Sequence, residues 1–87
     1  MNGEWTFVIH EQALKTLEAQ RGARRRQLRE MFDRLAKNPF LSPDAELRLP
    51  NERFHSVIFV RDFQIIYWLD VSVKQVCITQ IDLISRR

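Results

Sequence analysis

The sequence has 87 residues, 45% of them hydrophobic and 29% charged, and a formal net charge of +3. A chain this short builds one modest core, burying about 60% of the surface its unfolded form exposes, and its ordinary composition argues against a disordered tail or low-complexity linker. Its apolar runs fall far short of the roughly 20 residues that cross a bilayer, and Met1-Asn2-Gly3-Glu4 lacks a signal-peptide pattern, so a single cytoplasmic domain without a membrane partner is expected.

The opening segment Trp5–His10 is aromatic and β-branched and reads as a strand. Alternation places Trp5, Phe7 and Ile9 on one face and Thr6, Val8 and His10 on the other. From Glu11 the period becomes helical: Ala13, Leu14 and Leu17 recur among polar residues, predicting a helix over 11–20. Gly22 then offers a left-handed stop. A second helix is predicted over 23–37, where Leu28, Met31, Phe32 and Leu35 form one apolar stripe at i, i+3, i+4 and i+7. Asn38-Pro39 ends it, and the short connection between the helices predicts an antiparallel hairpin.

Ser42-Pro43-Asp44 reads as a turn, and Glu46–Leu49 as a short edge strand closed by Pro50. Two dense strand signals, 56–60 and 63–69, are separated by Arg61-Asp62, which predicts a tight hairpin without the usual glycine. A third, 75–81, completes an antiparallel meander; residues 82–87 show no clear period. The order is strand, helix, helix and four strands, an α+β two-layer sandwich with a helical hairpin on an antiparallel sheet. The pattern does not place the opening strand within that sheet.

Cys77 has no partner for an internal disulfide and reads as a small core residue. With His10 and His55 far apart in sequence, neither a metal site nor a cofactor is expected. The uneven feature is charge. Arg21, Arg24, Arg25, Arg26 and Arg29 crowd together, three of them in the first turn of the second helix, where the helix dipole disfavours cations. Such a cluster fits phosphates or an acidic partner surface, although many arginine runs are only solvated helix faces.

Taken together, the opening strand with Ala13 and Leu17, the helix ending Leu35-Ala36-Lys37-Asn38-Pro39, Leu47 and Leu49, the run Arg61–Asp70 and the last strand at Val76-Cys77-Ile78 resemble the RelE/ParE superfamily of bacterial toxins. The resemblance spans nearly the whole chain. It implies a growth-inhibiting toxin of a type II toxin–antitoxin module, hetero-oligomeric with a cognate antitoxin that covers the helical hairpin, where Arg21, Arg24, Arg25 and Arg29 would meet acidic side chains. Two mechanisms exist in the superfamily: metal-independent cleavage of mRNA on the ribosome, and poisoning of DNA gyrase.

For the nuclease branch the resemblance implies a site of cationic side chains on the sheet, with His55, Arg53, Arg61 and Arg86 as candidates here. Gln64 stands where the hairpin arginine is expected, and the terminal Tyr or His is absent. A gyrase-directed or catalytically degenerate member is therefore the favoured expectation. The alternatives are an mRNA endonuclease and a non-toxic module that binds its antitoxin or regulates its operon.

Overall fold

The computed structural model describes residues 4–48 and 53–84. In chain order these form β1 (Thr6–Ile9), α1 (Glu11–Glu18), α2 (Gly22–Lys37), β2 (Ala45–Arg48), β3 (Phe54–Val60), β4 (Phe63–Asp70) and β5 (Gln75–Leu83). The sheet order is β1-β5-β4-β3-β2. As the short, proline-flanked segment predicted, β2 is an edge strand.

The two helices share one face of the sheet, α1 along β5 and α2 across β1, β3 and β5. Helical spacing brings Ala13 and Leu17 of α1, and Leu28, Phe32 and Leu35 of α2, to full or nearly full burial. Met31 packs at the margin of the same cluster. Phe32 meets the Phe7 ring at 5.4 Å, which fixes α2 to β1. From the sheet, Ile58, Phe63, Ile65, Tyr67, Val76, Ile78 and Ile81 complete the core. Each large side chain buried there contributes about 1.5–3 kcal/mol. Tyr67 is a core residue, 1% exposed, and its burial raises the phenol pKa.

The helices begin and end slightly off the predicted bounds. α1 stops two residues early, closing with the Gln20 N–H donating to the Leu17 carbonyl at 3.1 Å. Gly22 does adopt the left-handed conformation, with φ of +56°, and it is also the first residue of α2. Only three residues therefore separate the helices.

One pairing departs from the antiparallel expectation. The meander β2-β3-β4-β5 is antiparallel throughout, but β1 pairs with β5 in parallel, Phe7 opposite Val76 and Ile9 opposite Ile78, so the sheet is mixed. A parallel neighbour requires a long crossover, and the whole helical layer and meander lie between these two strands. Residue periodicity reports which face a side chain takes and says nothing about strand direction.

A bulge in the β4–β5 ladder solves a spacing problem. Ile78 and Ile81 are three apart, so in a regular strand they would face opposite sides. Ile66 pairs with Gln80 and Tyr67 with Ile78, leaving Thr79 as the extra residue. Both isoleucines then point to the helices. The Thr79 hydroxyl donates to the Ile66 carbonyl at 3.2 Å, which satisfies an acceptor at the irregularity.

Candidate functional site

The sheet face away from the helices is the candidate site. Alternation and register carry His55, Val57 and Phe59 of β3 to this face with Gln64, Ile66 and Trp68 of β4 and Cys77, Gln80 and Asp82 of β5. Leu47 of β2 faces His55 at one side, and Val8 of β1 faces Cys77 at the other. Although no helix among the described residues covers it, the middle of the face is closely packed: Val57, Ile66 and Cys77 are 7%, 8% and 5% exposed. The result is an apolar floor with polar groups at both ends.

At one end the Arg53 guanidinium lies 3.7 Å over the Trp68 ring. This stacking is a cation–π contact that keeps the charge beside the floor. His55 Nδ1 is 3.1 Å from the Arg53 carbonyl oxygen. A carbonyl only accepts, so Nδ1 carries the proton in this contact and, in the neutral ring, Nε2 is left with its lone pair. Arg53 thus holds both the aromatic platform and the imidazole. Close by, burial raises the Cys77 thiol pKa, with the Asp70 charge adding to the rise and Arg53 opposing it.

The other end is acidic. Asp82 accepts from Gln80 Nε2 at 2.7 Å and from Gln64 Nε2 at 3.5 Å. Gln64 is therefore engaged with a carboxylate at the position where the resemblance calls for a phosphate-binding arginine. A carboxylate held there repels a phosphate, by about 1 kcal/mol at 4 Å even in water and by more where solvent is excluded.

Of the candidate catalytic residues, the structure brings Arg53 and His55 together and leaves Arg61 apart. Arg61 sits in the β3–β4 turn, six residues along the strand from His55, a span of about 20 Å. Its φ of 53° is left-handed. Arg86 lies outside the described residues. Among the described residues no group of three His, Cys, Asp or Glu is placed to hold a metal ion, and no helix is long and apolar enough to cross a membrane.

Arg61 belongs instead to the basic end of the molecule. Arg24 of α2 reaches Asp62 in the same turn at 3.4 Å, and Arg61 lines a shallow cleft with Gln27, Glu30, Met31, Arg34 and Val60. Arg21, Arg24, Arg26 and Arg29 are exposed and Arg25 is half-buried. The first turn of α2 contains no acidic residue, and Arg21, its N-cap residue, makes no side-chain cap. The cluster is thus surface charge held at the unfavourable end of a helix dipole, a cost offset in part where Arg24 meets Asp62 and Arg21 donates to the Glu18 carbonyl at 3.2 Å.

Sequence reasoning missed the Arg53–Trp68 stack and the Gln64–Asp82–Gln80 group. Alternation put Gln64 on a face, but only the ladder register shows what stands opposite. The bulge at Thr79 shifts the alternation of Gln80 and Asp82 relative to Cys77, so counting along β5 misplaces them.

Two helices over a five-strand mixed sheet in this order is the RelE fold, and the comparisons bear this out. No protein-family model matches the chain, and no curated protein does. Among solved structures, a chain of the archaeal RelE–RelB complex from Pyrococcus horikoshii matches with a TM-score of 0.77 at 20% identity, over 98% of this chain and 100% of that one. The isolated E. coli RelE toxin matches at 0.74 and 18%, over 95% of this chain and 87% of that one. The toxin–antitoxin complex RelBE2 from Mycobacterium tuberculosis matches at 0.66 and 16%, over 93% and 99%. The chain is RelE-like in fold, and at these identities the likeness is one of fold.

Proposed function

We propose that this chain is the growth-inhibiting toxin of a type II toxin–antitoxin module, silenced in the cytoplasm by a cognate antitoxin, and that it acts on DNA gyrase rather than by cutting mRNA. The toxin reading draws on the RelE fold over nearly the whole chain and on neighbours solved as RelE toxins or in complexes with RelB. One observation carries the choice of mechanism. Where a phosphate clamp is needed, Gln64 and Gln80 are bound to the Asp82 carboxylate. The basic end at Arg21, Arg24, Arg25 and Arg29 suits the acidic face of the antitoxin.

A supercoiling assay with purified gyrase tests the mechanism. Inhibition that is relieved by the antitoxin supports this reading, and full gyrase activity at a large excess of the chain removes it.

The second reading is a ribosome-dependent endonuclease. It is favoured by His55, whose Nε2 lone pair suits a general base, and by the charge of Arg53 beside it. Under that reading His55→Ala abolishes toxicity; under the gyrase reading toxicity persists.

A further inference from the structure

A cleft beside Trp5 lies away from both the open sheet face and the basic end. It has a volume of about 570 Å³ and is lined by Glu4, Trp5, Asp33, Ala36 and Lys37. The spacing of Asp33, Ala36 and Lys37 puts all three on one face of α2, and the small side chain of Ala36 leaves the floor open. Trp5 packs on the core and meets the Phe40 ring edge-to-face at 5.5 Å and 82°. The indole is therefore anchored, while Phe40 is 67% exposed.

We propose that this cleft binds a guanidinium, the arginine side chain of a partner protein. Three observations converge on that chemistry. First, two carboxylates face one ammonium, so the cleft is net acidic in a chain that is net basic. Second, among the described residues Glu4, Asp33 and Lys37 take part in no ion pair or side-chain hydrogen bond. Third, this surface covers its aromatics with arginines elsewhere: Arg48 lies 4.1 Å over Phe54 and Arg53 lies 3.7 Å over Trp68. Among the described residues no cation lies over Trp5 or Phe40.

A planar guanidinium can stack on an indole while its fork of donors reaches carboxylates, which matches the groups that line the cleft. An ammonium makes the charge and cation–π contacts without the planar stack or the bidentate fork.

The test is a titration followed at the Trp5 indole N–H resonance of the intact chain, with N-acetyl-arginine amide, N-acetyl-lysine amide, spermidine and N-acetyl-glutamate amide as probes. The arginine probe shifts the resonance to saturation with a dissociation constant of about 1 mM and outranks the lysine probe. Asp33→Lys weakens binding about tenfold with an unchanged thermal midpoint, and Lys37→Gln strengthens it. No saturable shift, an equal response to the glutamate probe, or indifference to Asp33→Lys overturns the proposal. Preference for spermidine assigns the cleft to a free polyamine and overturns the protein partner.

Discussion

At the scale of the residue, Lys74 shows a backbone cost and Cys77 a solvation cost. Lys74 closes the β4–β5 turn with φ of 56°, and its N–H donates to the Val71 carbonyl at 3.3 Å. A side chain in this conformation costs about 1–2 kcal/mol, against about 0.5–1 kcal/mol of added chain entropy for glycine. Lys74→Gly therefore raises the unfolding free energy by about 0.5–1 kcal/mol, measurable by urea denaturation. Cys77 shows the second cost. Its pKa is higher folded than unfolded, so the native state keeps a proton that the unfolded chain releases above about pH 8.5. The stability linked to it is intact below that pH and is lost as pH rises through the folded value. Thermal midpoints should fall between pH 8 and 10, and Cys77→Ala should flatten that fall; an equal fall in the variant assigns it elsewhere.

At the scale of the element, α2 begins badly and is held by packing. Its first turn carries arginines and no acid, its N-cap Arg21 has extended backbone, and stability comes from Leu28, Phe32 and Leu35 on the opposite face. Arg21→Asp supplies a side-chain cap and a favourable charge, and should raise stability by about 0.5–1 kcal/mol in the same denaturation assay. If the arginines are retained for binding, the same variant should bind the antitoxin less well. A variant that is both more stable and equally tight would show the cluster to be solvated surface. The apolar stripe and this misplaced charge were legible in the sequence because both depend on neighbours within two helical turns. The parallel β1–β5 pairing and the bulge at Thr79 were not, since each is decided by contacts between residues distant in the chain.

At the scale of the whole molecule, charge and chemistry are divided among three places. The basic end joins α2 to the β3–β4 turn, the open sheet face sets Arg53 and His55 opposite Asp82, and the acidic aromatic cleft lies beside Trp5. This division separates Arg61 from His55, which sequence order alone left together as candidates. It also keeps the basic end, the proposed antitoxin surface, apart from the sheet face. If the basic end meets the antitoxin as proposed, replacing Arg24, Arg25 and Arg29 with Glu weakens that complex at least about a hundredfold by calorimetry while the isolated chain stays folded.

Under the proposed function the chain stops growth without cutting mRNA, since Gln64 and Gln80 are bonded to the Asp82 carboxylate on the open sheet face. Mapping transcript 5′ ends in a bacterial culture as induced expression arrests its growth tests this most directly. Growth arrest with no new ends at codon boundaries is the predicted result; new ends at codon boundaries as growth stops, or growth that continues unchanged, would contradict it.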